Sequence, residues 1–405
     1  MKQKENKAQK PNRLPLEDIV VLDLGRVLPL PFASMVLADL GALVIKVEDV
    51  TDRGGVGRDM LTEASPQPAA EEQACAYNHL ARNKKSLALN LRDKRAQDIF
   101  LRLARKADVV MESFRPGVVD RLGVGYQAVA AQNPEIIYLS LTAYGQDSDF
   151  RSLPGHEPEY CALSGALSLT GDEQGTPVMI GANMADVSGS LHAVIAILAA
   201  LRLREQTGRG RHIDLSIADC MLSFTSVNLA MYLRKGFVPK RGWQPPYRHV
   251  WRSKDDKYLV VTNPEGHLWA KFCEVLGRED LKPLQRPKGE ERKRVVEELA
   301  QIMRGKNRDE WIDILRQAGV SAAPVNEIDE VVREPHYRQR GMFRSWEHPV
   351  LGQVEQLASP LGFNEPGEGL RSFAPTLGQH SEEILKELQY SPAEIQQLRE
   401  SGALA

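Results

Sequence analysis

The stretch Asp18–Asp49, DIVVLDLGRVLPLPFASMVLADLGALVIKVED, decides how this chain folds. It opens on a short apolar run that stops at Gly25, as a strand buried on both faces does. Phe32, Met35, Val36 and Leu40 then recur at helical spacing. LVIKVED reads as a second strand. Strand, helix and strand make a β-α-β unit, whose crossover is right-handed by default.

The alternation continues outward from this unit. KKSLALNL reads as a strand, and KRAQDIFLRLARKA as an amphipathic helix that turns Ile99, Leu101, Leu103 and Ala104 inward. DVVMESF and IIYLSLTAYG read as two more strands around a helix. SLHAVIAILAALRL, residues 190–203, is a buried helix, too short in itself to span a bilayer. GRGRHIDLSIADCML is a turn, a strand and a helix start. The pattern predicts an α/β fold with an open, largely parallel sheet. Ligands of such sheets lie beyond the carboxyl ends of the strands. FRPG and AYGQ fall at ends of that kind.

The texture then changes. KGFVPKRGWQPPYRHV is rich in Pro, Gly and aromatic residues and reads as a linker. WRSKDDKYLVVT reads as a hairpin turning at Asp255-Asp256. Helical stretches are expected near residues 267–277 and 291–317, then a strand and helix start in VSAAPVNEIDEVV. The predicted organisation is a polar lead-in over 1–14, a large domain over 15–225 and a linker over 226–245. A small α+β domain over 246–340 and a C-terminal segment over 341–405 complete it.

Of 405 residues, 42% are hydrophobic and 26% charged, with a formal net charge of -2. This balance offers no electrostatic footprint for nucleic acid or an anionic membrane. A phosphate-bearing ligand must therefore meet a local basic cluster. Cys75, Cys161, Cys220 and Cys273 are scattered, without metal-ligand or redox-pair spacing. No metal site is expected, and thiols in a reducing cytoplasm are the simple reading. MKQKENKAQKPNR lacks the apolar core of a secretory signal, which agrees with a cytoplasmic protein. RGGVGRD, Arg53–Asp59, is glycine-rich but lacks the Lys-Ser/Thr of a phosphate-binding loop.

Candidate site residues follow from position. His156 sits after a Leu-Pro-Gly turn, either as a helix cap or in a cleft. Cys161 lies close to it but begins an apolar run. Asp186, between an apolar run and a helix of small residues, is an N-cap or a carboxylate placed in a site. Glu265 lies after a strand and before a helix, where an acid also suits the dipole. Lys46, Arg82, Lys84, Lys85 and Arg115 lie in strands or at their ends, where cations converge on a phosphate or on solvent.

Together, LDLGRVLPLPFASMVLADLGALVIKVE, ARNKKSLALNL, SFRPGVVDRLGVGY, YGQ, RGRHIDLSIADCML and APTLGQHSEEILKEL resemble the class III coenzyme A transferase family. That family includes formyl-CoA transferase, carnitine CoA-transferases and α-methylacyl-CoA racemases. The resemblance runs from about residue 15 to the C-terminus. It implies a Rossmann-like large domain, a smaller domain, a final segment returning to the large one, and an interlocked homodimer. It implies coenzyme A, as acyl-CoA substrate, and no metal or redox cofactor.

Transferases of the family use an aspartate that forms a mixed anhydride and then a CoA thioester, and Asp186 matches it. The racemases add a histidine in GHD-x-NY-x-ALSG and a small-domain glutamate. Here GHEPEYCALSG and EGHLW supply His156 and Glu265. The first functional expectation is therefore α-proton transfer on a 2-methylacyl-CoA, with His156 and Asp186 as the acid/base pair. Backbone N–H groups at the start of the Asp186 helix would hold the enolate. The alternative is CoA transfer to a free carboxylic acid through Asp186, with Gly181 and Gly189 leaving room for the acyl group. A third is a non-catalytic acyl-CoA-binding homologue. Three residues depart from the family pattern: Glu157, Glu159 and Asp49.

Overall fold

A computed structural model describes residues 14–50, 74–172, 174–239, 241–242, 244–362 and 369–405. Almost all of the polar lead-in and the RGGVGRD stretch lie outside the described residues. The chain divides into two compact units.

The large unit comprises residues 14–170, 178–239 and 339–405. Its centre is a six-stranded sheet with the order β3-β2-β1-β4-β5-β6. The strands are β1 (Val20–Leu24), β2 (Leu43–Glu48), β3 (Lys84–Ala88), β4 (Val109–Glu112), β5 (Ile137–Thr142) and β6 (Arg211–Ser216). Every pair is parallel. The order runs outward one way from β1 and then the other way from β4. Crossovers of one hand then cover both faces, and a crevice opens where the direction reverses.

Strand residues alternate between two cores. Val21, Val44, Met111 and Leu139 face helices α1 (Pro29–Asp39) and α7 (Met184–Thr207). Leu22, Ile45, Val110 and Tyr138 face α2 (Lys94–Ala104). That second face also takes Ile384 and Leu385 of α10 (Ser381–Glu387) and Ile395 and Leu398 of α11 (Pro392–Glu400). The C-terminal segment thus returns to the large unit. It bonds the edge strand directly: His380 N donates to Ser86 O, and Ser86 N to His380 Nδ1.

Helices α3 (Val118–Arg121) and α4 (Tyr126–Ala130) lie between β4 and β5, and α5 (Glu157–Leu163) and α6 (Ala166–Leu169) follow β5. After β6 come α8 (Ile217–Phe224) and α9 (Ser226–Lys235). The first half of the expected linker is therefore helix α9. Helix α7 has 24 residues, longer than the apolar run 190–203, and is long and apolar enough to cross a membrane by composition alone. One side of it, with Ala193, Ile197 and Ala200, is buried on the sheet.

The small unit comprises Gly171–Pro177 and Lys240–Arg338. Strands β7 (Arg248–Arg252), β8 (Tyr258–Thr262) and β9 (Ala322–Pro324) form an antiparallel sheet over a core of Trp251, Leu259, Trp269, Phe272, Leu299 and Trp311. Asp256 takes φ 62° at the hairpin, where its short polar side chain is tolerated. The helix expected over 291–317 is broken into Gly289–Met303 and Arg308–Gln317. The break holds Gly305 and Asn307, and Asn307 caps the second helix in a capping box with Glu310.

Arg82 is a structural clamp. Its Nε lies 3.1 Å and its Nη2 2.6 Å from the Asp39 carboxylate, and both side chains are buried. Its Nη1 donates to the carbonyl of Leu357 in the hairpin β10 (Phe343–His348) and β11 (Gly352–Leu357). Arg82→Ala would leave the buried Asp39 carboxylate with the Asn83 amide but without its ion-pair partner. A loss of about 3 kcal/mol is expected from urea unfolding monitored in the large unit. An unchanged midpoint would show that the clamp is dispensable.

Candidate active site

Asp186 is the third residue of α7, and the donors around it are set by a neighbouring helix. Glu157, the first residue of α5, reaches across to the start of α7. Its Oε1 accepts from Ala185 N at 2.9 Å and its Oε2 from Asp186 N at 2.8 Å. The carboxylate thereby satisfies two of the donors that a helix start leaves open. Met184 N donates to Ala182 O, and Val187 N to Asn183 O. The first-turn N–H groups of α7 are thus engaged within the unit. The expected enolate donors at this helix start are not open, because Glu157 occupies them.

Burial pushes the Asp186 carboxyl up to about 6, the Glu157 charge adds to the rise, and His156 pulls the other way. A part-buried carboxylate with a like charge beside it is a strong base and a strong nucleophile when ionised. His156 is the extended N-cap residue of α5, and its ring is exposed. Its backbone N–H donates to Glu159 Oε2 at 3.1 Å. The two glutamates that depart from the family pattern are therefore both capping groups, one for each helix of the site.

Cys161 is no partner for His156. Its thiol donates to Glu157 Oε1 at 3.1 Å, and burial together with that carboxylate pushes it up to about 12. Tyr160 donates to Gly155 O at 2.6 Å and packs edge-on to Tyr144, which packs edge-on to Phe150. Gly189 does not open space for a substrate. A Cβ there would lie 3.2 Å from Ile217 Cγ1, so it serves the packing of α7 on α8. At Gly181 a Cβ would meet nothing within 4 Å.

The basic residues divide by environment. Lys84 is buried, with its ammonium 2.6 Å from Ser34 Oγ, 3.0 Å from Pro31 O and 3.5 Å from Asp23 Oδ2. Burial lowers it to about 8 against the pull of Asp23. Lys46 lies 3.4 Å from Asp23 and also donates to Gly25 O. Burial works to raise the Asp23 carboxyl, but the two lysines, Ser34 and Gly25 N hold it below its ordinary value. Lys85 pairs with Glu383 and Glu387 of α10, at 2.7 and 3.7 Å. With Arg82 on Asp39, four of the five predicted phosphate-binding cations have carboxylate partners within the chain, those of Lys85 at the surface. Strand spacing alone does not separate a ligand cation from a structural one.

Arg115 is different. It is exposed just beyond β4, at one mouth of a cleft of about 490 Å³ lined also by Gly117, Asp120, Arg121, Gln146 and Arg151. The loop carrying it is held by Glu112, whose Oε2 accepts from Phe114 N at 2.8 Å. Sequence reasoning missed Arg121 and Arg151. The FRPG and AYGQ strand ends pointed to their neighbourhood. Glu265 is the N-cap residue of the small-unit helix Gly266–Val275, where its carbonyl accepts from Leu268 N and Trp269 N. Among the described residues no group of His, Cys, Asp and Glu is arranged to hold a metal ion.

The comparisons with known proteins agree with one another. Residues 16–381 match the model of CoA-transferase family III. Human succinyl-CoA:glutarate CoA-transferase is 33% identical over 404 residues, covering 97% of this chain and 90% of its own. Acetyl-CoA:oxalate CoA-transferase of Acetobacter aceti is 31% identical, covering 92% and 95%. The crystal structure of a CaiB/BaiF family protein from Brucella suis superposes with a TM-score of 0.78 at 29% identity, over 92% of this chain and 99% of that one. On these matches and on the six-stranded parallel sheet, the chain is an enzyme of CoA-transferase family III.

Proposed function

We propose that the enzyme moves coenzyme A between carboxylic acids, with Asp186 as the nucleophile. The observation that carries this reading is the Asp186 carboxylate itself, part-buried at the start of α7 and raised to about 6 by burial and Glu157. At neutral pH it is ionised and poorly stabilised, which favours attack on a thioester carbonyl. That attack expels the CoA thiolate and leaves a mixed anhydride on Asp186. The thiolate then attacks the aspartyl carbonyl, releasing the first acid and forming an aspartyl-CoA thioester. The acceptor carboxylate attacks that thioester carbonyl, expelling the thiolate and leaving a second mixed anhydride on Asp186, and the thiolate attacks the new acyl carbonyl, releasing the Asp186 carboxylate. Asp186 is regenerated and no proton is gained or lost.

The curated relatives named above are CoA-transferases whose partner acids, glutarate and oxalate, are dicarboxylic. This supports transfer over α-proton exchange and points to a dicarboxylic acceptor. The geometry adds a second argument: the first-turn donors expected to stabilise an enolate are taken by Glu157. His156 then orients or binds an acid at the mouth of the site. In this reading Arg115, Arg121 and Arg151 hold the CoA phosphates, because exposed guanidinium groups in one cleft suit that charge.

We also infer a homodimer. Leu191, Ile195 and Leu198 of α7, Leu222 and Phe224 of α8, and Val227 and Leu233 of α9 are exposed large apolar side chains. Ile195 is 62% and Leu233 82% exposed, far more apolar area than a solvated helix face carries. Light scattering is expected to give the mass of two chains, and a single-chain mass would overturn the inference.

Succinyl-CoA with glutarate is expected to yield glutaryl-CoA without added cofactor. Hydroxylamine during turnover should modify Asp186, read by mass spectrometry of its peptide. Asp186→Ala should be inactive, and a fully active Asp186→Ala would exclude the mechanism. In the same assay Arg115→Ala should raise KM for the thioester about tenfold while sparing kcat. Glu157→Gln tests the electrostatics. The ionised carboxylate is the reactive form, so kcat/KM falls as pH drops through about 6. Removing the Glu157 charge lowers Asp186 and moves that acid limb to lower pH. An unmoved limb would show that Glu157 does not control Asp186.

A further inference from the structure

The loop from β1 to α1 contains a backbone conformation that its residue disfavours. Val27 has φ 63°, in the left-handed region. Asn83, Asp256 and Gln389 are the other non-glycine residues there among the described ones. Asparagine and aspartate are frequent occupants of that region, but a β-branched residue is an outlier. Val27 is 48% exposed, so no buried side chain repays the strain.

Such strain survives only where the surroundings over-determine the chain. Here both ends of the loop are tied. On the β1 side, Gly25 N donates to Asp23 Oδ1 at 2.7 Å, Lys46 donates to Gly25 O, and Arg26 N donates to Ser113 Oγ at 3.0 Å. On the α1 side, Lys84 donates to Pro31 O at 3.0 Å, and Ser190 Oγ lies 2.7 Å from Pro29 O. Ser190 Oγ is also 2.7 Å from the carbonyl of Asp186. One hydroxyl therefore spans the end of the loop and the first turn of the helix bearing the nucleophile.

We propose that the left-handed backbone of Val27 sets the loop against the Asp186 end of α7, which makes Val27 a positioning residue for CoA transfer. The inference rests on the transfer reading above. With residues 25 and 29 both pinned, the chain between them has few ways to connect, and Val27 takes the strained one. Released, the loop would let Pro29 shift and carry Ser190 and the Asp186 turn of α7 with it. Displacements of about an ångström at a reacting centre cost on the order of a hundredfold in rate.

Two variants test this, using succinyl-CoA and glutarate as probe substrates. Val27→Asn keeps the left-handed conformation without the branched Cβ. Val27→Gly accepts that conformation and many others. Both are compatible with the native backbone and are expected to fold. Val27→Asn should unfold about 2 °C higher than the wild type and retain kcat. Val27→Gly should lose about tenfold in kcat with little change in KM for either substrate. A Val27→Gly enzyme with full kcat would overturn the proposal. So would a Val27→Asn enzyme that is no more heat-stable or that shares the kcat loss of the glycine variant. A wild-type enzyme that transfers no CoA over a panel of acyl-CoAs and acids would instead refute the transfer reading, and the positioning role with it.

Discussion

Asp23 is fully buried at the end of β1, and four elements meet on its carboxylate. Lys46 comes from β2, Lys84 from β3, Ser34 from α1, and Gly25 N from the turn beyond β1. Burying one carboxylate with two ammonium groups is costly unless every polar atom is answered, and here the partners answer it. The reward is geometric. Strands β1, β2 and β3 and helix α1 are fixed relative to one another at the edge where a doubly wound sheet places its ligands. Loss of Asp23 would leave the buried Lys84 ammonium without its nearest counter-charge, a penalty of about 3–5 kcal/mol. In this cluster and in the Arg82–Asp39 clamp the cations meet carboxylates of the chain itself.

A second constraint acts where α5 meets α7. A helix start offers partial positive charge, and Glu157 claims it from the neighbouring helix. The bond holds the two helices in register, but it also places a negative charge next to Asp186. Asp186 is ionised at neutral pH without the stabilisation that a helix start ordinarily gives a carboxylate. One residue thus serves as a helix cap and adds its charge to burial, the larger cause of the raised Asp186 pKa. The pattern is typical of sites where a reactive group must stay basic.

Much of this was legible in the sequence, for physical reasons. Strands buried on both faces are continuous apolar runs, and their helices carry a stripe, so the order of elements in the large unit could be read from β1 to α8. Asp186 and His156 stand out as candidates in the sequence because they interrupt small-residue and turn patterns. The roles of the lysines were not legible. Lys46 and Lys84 look like ligand cations in the chain, and only the three-dimensional meeting on Asp23 shows their work. Glu157 read only as a departure from the family pattern, because the backbone N–H groups it caps lie twenty-eight and twenty-nine residues away along the chain. The break near Asn307 escaped because apolar spacing continues across it, while the capping chemistry ends one helix and starts the next.

The strain at Val27 was beyond any reading of composition, because valine ordinarily signals strand or core. Its meaning depends on what holds it. Asp23 and Lys46 fix the chain before it, and Ser190 fixes the chain after it. Ser190 in turn sits one turn along α7 from Asp186. The buried charge cluster, the strained loop and the backbone of Asp186 are therefore linked through short hydrogen bonds. In such a chain a relaxed backbone at residue 27 is felt at residue 186 as a displacement rather than as added motion, since the bonds on either side stay in place. That is the physical basis for expecting a change in turnover rather than in substrate affinity.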